Sequence, residues 1–252
     1  MNILITGHKG LIGKEVYNSL MRRGDAVIGY DRGGVFPDYS FDGVVHCAAN
    51  CVIREVIADP ELMMENMSLT CKVMELARKY KSPVVLMSSG RVNHDFMNPY
   101  VVSKRFLEDV AKAYNECYGV DSLIIRPETI WGKNDNPVRV IPNWISKAKK
   151  GDPLIIYGDE SKELSPLHVD DFVTAFLGVF SSFDEYKNGL PVTISGYAMK
   201  ATEVAETIIK VVGSGCLEFR PAELSQPQEI VYSTSDVRLP NQFETRLREV
   251  LQ

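Results

Sequence analysis

The chain has 252 residues, 45% of them hydrophobic, and a formal net charge of −5. That length admits one sizeable core or two small ones. The acidic balance leaves no basic footprint for nucleic acid, and no apolar run approaches the roughly 20 residues that a membrane helix needs.

The first strand begins at Asn2, which leaves no room for a signal peptide. Ile3-Leu4-Ile5-Thr6 then meets Gly7, Gly10 and Gly13, and the glycines open an amphipathic helix with Leu11, Ile12, Val16, Leu20 and Met21 near one face. Arg22 and Arg23 close that helix and Gly24 stops it. A strand turning tightly into a helix leaves amide N–H groups at Leu11, Ile12 and Gly13 unpaired, and the helix dipole adds partial positive charge there. The place suits a pyrophosphate. Ala26 to Asp31 is a second strand ending in an acid, placed to accept hydrogen bonds from adenosine ribose hydroxyls. Asp31 would repel a 2′-phosphate and favours NAD; Arg32 is the residue that would hold such a phosphate, which keeps NADP as the alternative.

After a polar loop from Gly33 to Ser40, Gly43 to Ala49 reads as a buried parallel strand, and the small Ala48 and Ala49 at its end let the backbone approach a cofactor. Pro60 to Tyr80 reads as a long helix with Leu62, Met63, Met67, Val73, Met74, Leu76 and Ala77 as buried candidates. Pro83 to Ser89 is a strand ending in hydroxyls. Asn98-Pro99 starts a helix carrying Tyr100, Ser103, Lys104, Leu107, Val110, Ala111 and Tyr114, and Val120 to Arg126 is the next strand. This alternation predicts an α/β fold, a doubly wound parallel sheet with a small C-terminal substrate-binding lobe. Residues 1–132, rejoined by a helix within 165–182, form the expected dinucleotide-binding domain; 133–164 and 183–252 form the lobe. Residues 188–252 are the least periodic and carry Pro191, Pro221, Pro227 and Pro240. Asp170 and Asp171 read as a helix cap and first-turn acid, Lys147, Lys149 and Lys150 as an exposed helix end, and Trp131 as packing. The five cysteines, Cys47, Cys51, Cys71, Cys117 and Cys216, are odd in number and scattered, which fits reduced thiols in the cytoplasm; with the dispersed His8, His46, His94 and His168 they suggest no metal site.

Tyr100 and Lys104 are four apart and share a helix face. A phenol titrates near 10, too high for an easy base at neutrality, and a neighbouring ammonium stabilises the phenolate. Ser89 is placed to hydrogen-bond a substrate hydroxyl or carbonyl. Together the three suit proton movement while hydride passes to a nicotinamide.

The set Thr6-Gly7-x-x-Gly10-x-x-Gly13, Asp31, His46-x-Ala48-Ala49, Ser88-Ser89, Tyr100-x-x-Ser103-Lys104, Arg126-Pro127 with Trp131-Gly132, Tyr157-Gly158-Asp159 and His168-Val169-Asp170-Asp171 resembles the extended short-chain dehydrogenases/reductases, and within them the NAD-dependent epimerase/dehydratase family of nucleotide-sugar enzymes. The resemblance implies Ser89, Tyr100 and Lys104 as the catalytic triad, with Tyr100 and Lys104 also on the cofactor and Pro127 beside it. It implies Arg220 as a ligand of the sugar-nucleotide phosphates and Thr129 where the family often has a substrate-binding Asn. Arg91, beside the triad, is a candidate contact for an anionic substrate. The chain departs from the pattern at Thr129 and in four further ways. The family's strand and helix between Asp31 and Gly43 have no space here, so the sheet should lose one strand. Gly90 and Arg91 stand where dehydratases carry Asp-Glu, Leu164 stands where a phosphate-binding arginine is usual, and the connection from Ser89 to Tyr100 is short. The expectation is an NAD-dependent nucleotide-sugar epimerase that dimerises through the helices from Pro60 and Pro99. The alternatives are an NAD(P)-dependent reductase or dehydrogenase of a keto or hydroxy sugar, and a non-catalytic NAD-binding scaffold.

Overall fold

The computed structural model describes residues 1–94, 97–158, 160–222 and 236–252. Its first half runs β1 (Asn2–Thr6), α1 (Leu11–Arg23), β2 (Ala26–Tyr30), β3 (Gly43–His46), α2 (Ile53–Ala58), α3 (Glu61–Tyr80), β4 (Val84–Met87), α4 (Pro99–Tyr118) and β5 (Ser122–Pro127). Its second half runs β6 (Thr129–Trp131), α5 (Val140–Lys150), β7 (Pro153–Tyr157), β8 (Glu163–Leu164), β9 (Pro166–His168), α6 (Val169–Ser181), α7 (Phe183–Tyr186), β10 (Val192–Ser195), β11 (Met199–Lys200), α8 (Ala201–Val212), β12 (Cys216–Arg220), β13 (Val237–Arg238) and α9 (Phe243–Leu251).

The central sheet has seven strands in the order β13-β10-β5-β4-β3-β1-β2. Its register is parallel from β2 through β5. This is the doubly wound α/β architecture that the alternation of elements predicts. Ile3, Leu4, Ile5, Val45, Val84 and Leu86 are fully buried, as parallel strands covered on both faces must be. Strand β2 is the edge strand. No strand or helix stands between β2 and β3, as the short link predicts, and β13 brings the sheet to seven strands by adding at the opposite edge, where no strand was expected. Strand β3 stops at His46 rather than Ala49, because the Ala48 amide turns to the Thr6 hydroxyl instead of a ladder partner.

The chain packs into two compact units, 1–127 with 173–193 and 128–172 with 194–252. The boundaries fall between β5 and β6, inside α6 and inside β10. In the first unit α1 buries Val16 and Leu20, each adding roughly 1.5–3 kcal/mol, and ends on Gly24 at φ 93°. Met21 is 48% exposed, not part of the buried face. Helix α3 buries Asn66, Thr70, Val73, Met74, Leu76 and Ala77. The expected Leu62, Met63 and Met67 are only half-buried, because two polar residues take the inward positions of its first turns. Asn98 caps α4, its side chain accepting from the Val101 amide at 3.0 Å, and Pro99 occupies the first turn.

The second unit closes on Trp131, Ile141, Trp144, Leu154, Ile156, Leu164, Val204, Ile208, Phe243 and Leu247. Its periodic helix α8 corrects the reading of 188–252 as least periodic. Pro191 and Pro221 flank α8 without interrupting it, the Glu203 side chain accepts from the Lys200 amide at its start, and Gly213 at φ 86° ends it. Among the described residues no helix is long and apolar enough to cross a membrane.

Candidate active site

The turn between β1 and α1 has glycines where side chains do not fit. Gly7 sits at φ 75°, and a Cβ there would stand 2.6 Å from the Ala48 nitrogen. A Cβ on Gly13 would collide with the Gly7 carbonyl. Gly10 is the N-cap and offers no side-chain acceptor, so the amides of Leu11, Ile12 and Gly13 have no intrahelical partner. With the helix dipole they make an anion cradle walled by backbone, and that cradle fits a dinucleotide's pyrophosphate. Thr6 fixes the cradle from behind. Its Oγ1 lies 2.7 Å from His46 Nδ1 and accepts from the Ala48 amide at 3.4 Å, while His46 Nε2 lies 3.4 Å from Thr70 Oγ1. Burial pushes the His46 pKa down to about 3; the neutral ring holds the ends of β1 and β3 to α3. Burial likewise pushes the Cys47 thiol up to about 12, an inert side chain.

Asp31 follows β2. Its Oδ2 accepts from the Lys9 amide at 3.0 Å and its Oδ1 from the Arg32 amide at 2.8 Å, which fixes the carboxylate beside the glycine turn. Arg32 reaches the other way, donating to Asn50 Oδ1 and lying 3.5 Å from Glu65 Oε2. No motif in the sequence marks Asn50 or Asn66. The Asn50 amide donates to Asn66 Oδ1 at 2.7 Å, and Asn66 Nδ2 donates to the Asn50 carbonyl at 3.1 Å and to Ser103 Oγ at 3.4 Å. This ladder joins the segment after β3 to α3 and α4. The signal for it was the i, i+4 pair Asn66 and Thr70, polar on a face otherwise apolar.

Ser89, Tyr100 and Lys104 all belong to the first unit. Tyr100 is 8% exposed and packs with Val56, Val92 and Val101; Val92 belongs to a 3-10 turn, Gly90–Asn93, that directly follows Ser89. Lys104 is buried one helical turn on, its Nζ 5.9 Å from the centre of the Tyr100 ring and donating to the Met87 carbonyl at 2.7 Å. Burial lowers the Lys104 pKa from 10.5 to about 8, against the opposing pull of Cys51, Cys47 and Glu108. Ser89 Oγ accepts from the Arg91 amide at 3.2 Å, a bond that leaves the hydroxyl proton for another acceptor. Arg91 is half-buried in the same turn, and Pro127 is buried at the end of β5.

Thr129 and Arg220 belong to the second unit. Thr129 opens β6, paired with Pro166 of β9. Arg220 ends β12, 47% exposed, its Nε donating to Glu218 Oε1 at 2.7 Å. Leu164 is 3% exposed in this unit's core, so the position where an arginine is usual holds a packing residue. Trp131 is buried in the same core, and Asp171 pairs with Arg246 from the first turn of α6. Asp159, the last residue of Tyr157-Gly158-Asp159, lies outside the described residues. A cavity of ≈ 1000 Å³ in the first unit is lined by Arg23, Arg78, Lys81, Tyr118 and Phe180 at the strands' amino ends. It contains none of the site residues, whereas open α/β sheets bind ligands at the carboxyl ends, where Thr6, Asp31 and Ser89 stand.

Residues 3–194 match the family described as NAD dependent epimerase/dehydratase. A dTDP-4-dehydro-6-deoxy-D-allose reductase from Streptomyces sp is 31% identical over 164 residues, 55% of this chain and 50% of that protein; the matched part is half that relative's length. A UDP-glucuronate 4-epimerase from Thermodesulfobacterium geofontis is 23% identical over 219 residues, 67% of this chain and 68% of that protein. Among solved structures, a dTDP-glucose 4,6-dehydratase from Streptomyces venezuelae with NAD bound superposes with a TM-score of 0.87 at 20% identity, covering 100% of this chain and 96% of that one.

Proposed function

The chain belongs to the NAD-dependent epimerase/dehydratase family, and from that premise we propose that it binds NAD and epimerises a nucleotide sugar at a ring hydroxyl. The observation that carries this reading is the buried Lys104 ammonium, 5.9 Å from the Tyr100 ring at the carboxyl end of the sheet. Gly7, Gly10, Leu11, Ile12 and Gly13 would hold the pyrophosphate, Asp31 the adenosine ribose, and Ala48, Ala49 and Pro127 would flank the cofactor. Arg32, turned toward Asn50 and Glu65, supports NAD over NADP. When bound, NAD supplies the acceptor for a sugar hydride and its return. Tyr100 takes the hydroxyl proton and gives it back, Lys104 stabilises the charge on the phenol oxygen, and Ser89 donates to the same substrate oxygen. Arg91, Thr129 and Arg220 are proposed substrate contacts. Gly90 and Arg91 supply no acid and base for water elimination, which supports epimerisation over 4,6-dehydration.

A second reading is a keto-sugar reductase, favoured by the 31% identical allose reductase. Incubation with UDP- and dTDP-hexoses and, in the presence of NADH or NADPH, with their 4-keto derivatives, followed by proton NMR and absorbance at 340 nm, separates the two. The epimerase gives an inverted sugar with no net change in reduced cofactor; the reductase consumes it in proportion to product. No product with any nucleotide sugar overturns both and leaves the non-catalytic scaffold. The proposal includes a homodimer through α3 and α4 in the cytoplasm, and a monomer by sedimentation at micromolar concentration contradicts the dimer.

A further inference from the structure

Glu108 stands one helical turn beyond Lys104 on α4, and its side chain is only 13% exposed. Its Oε1 accepts from Ser88 Oγ at 2.5 Å and from Arg126 Nε at 2.8 Å, and its Oε2 accepts from Arg126 Nη2 at 2.5 Å. Arg126, the last residue but one of β5, uses its remaining arm to donate to Asn93 Oδ1 at 2.6 Å. A single carboxylate thus meets the end of β4 directly, the end of β5 through a two-point fork, and the Gly90–Asn93 turn through that fork. Ser89 lies between the two tethered points, Ser88 and Asn93.

We propose that Glu108 is the positioning residue of this site, fixing Ser89 through Ser88 and Arg126 while holding the helix face that carries Lys104. The inference rests on the reading of Ser89, Tyr100 and Lys104 given above. A two-point guanidinium–carboxylate fork fixes orientation as well as distance, which an apolar pair of equal volume would not do. Ser88 adds a third donor, so the carboxylate is satisfied from three directions. The charge has a second consequence. The groups that act on Lys104 are Cys47 and Cys51 from the segment after β3, the neutral His46, Tyr100 and Glu108 on its own helix. Glu108 is the carboxylate among them, and it favours the ammonium against the cost of burial.

Glu108→Gln keeps the shape and removes the charge. Two readouts apply: steady-state kinetics against pH, and the titration of Lys104 followed by NMR of ¹³Cε-labelled lysine, assigned with Lys104→Arg. The expected result is a kcat lowered about 10- to 100-fold with KM within about twofold, together with a Lys104 titration moved to lower pH. Ser88→Ala is expected to reproduce part of the kcat loss without moving Lys104. A Lys104 titration indifferent to Glu108→Gln overturns the proposal, whether or not the wild type turns over substrate. A variant that melts earlier but keeps the wild-type kcat per folded molecule also overturns it, since that marks a purely structural pair. A wild type without turnover, in which the variant still moves Lys104, supports Glu108's hold on Lys104 while the proposed function fails.

Discussion

The glycine turn with α4 and the β7–β12 region of the second unit carry the same kind of expectation and meet it differently. In the first unit the residues that the motifs single out are held by directional partners: Asp31 by two amides, Lys104 by the Met87 carbonyl, Ser89 by the Arg91 amide. In the second, Leu164 is absorbed into the core and Arg220, half exposed, is paired with a glutamate of its own strand. A cofactor cradle is made of backbone, so glycine spacing nearly dictates it. A grip on substrate phosphates is made of single side chains on short strands, and one replacement removes a contact while the strand pairing stays intact.

The contrast can be broken most forcefully at Tyr100. Tyr100→Phe is expected to lower turnover about 10²- to 10⁴-fold with NAD affinity within about twofold by calorimetry; unchanged turnover removes Tyr100 from the chemistry. Leu164→Arg probes the other side. A guanidinium in that apolar core is expected to cost about 3–5 kcal/mol in denaturant unfolding without tightening nucleotide-sugar binding. Tighter binding at full stability would show that position 164 faces a ligand.

Acid should act on the first unit through His46. Its folded pKa of about 3 lies below its ordinary 6.5, so between those values the unfolded chain binds a proton that the folded one does not. Stability therefore falls as pH falls through this window, by about 1.5–2 kcal/mol between pH 6.5 and 5. His46→Gln should flatten that part of the profile; an unchanged slope assigns the acid sensitivity elsewhere. Gly13→Ala, which drives a Cβ into the Gly7 carbonyl, is expected to cost about 1–3 kcal/mol and to weaken NAD binding. Full NAD affinity in that variant would mean the turn does not carry the cofactor. Arg220→Ala should leave the melting temperature unchanged, since the exposed Arg220–Glu218 pair adds little, so that any loss of nucleotide-sugar affinity reads directly on the proposed contact.

Much of the first unit was legible because its signals are local. Gly24 and Gly119 end helices in the left-handed region, Asn98-Pro99 starts one, and the Ile3–Ile5 run is buried throughout. The misses have physical reasons too. Met21 looked apolar enough to be inside, yet the helix register spends its inward positions on Val16 and Leu20. Asn66 and Thr70 are inside because His46 and Asn50, at and after the end of β3, take their partners from α3, a demand that no window of sequence contains. Strand β13 pairs through Ile194↔Val237 and Ser195↔Arg238, a contact set by tertiary structure and not by its own two residues. The Glu108–Arg126 fork was equally hidden. Lys104 and Glu108 are visibly i and i+4, but nothing in the spacing says that the carboxylate turns toward β5.

The central claim is that the turn at Gly7, Gly10 and Gly13 holds NAD where Tyr100 and Lys104 can serve it. The most direct measurement is a calorimetric titration of the nucleotide-stripped protein with NAD and NADP side by side. The account predicts saturable binding of one NAD per chain, tighter than NADP because of Asp31. Heats no different from dilution for both nucleotides would contradict it.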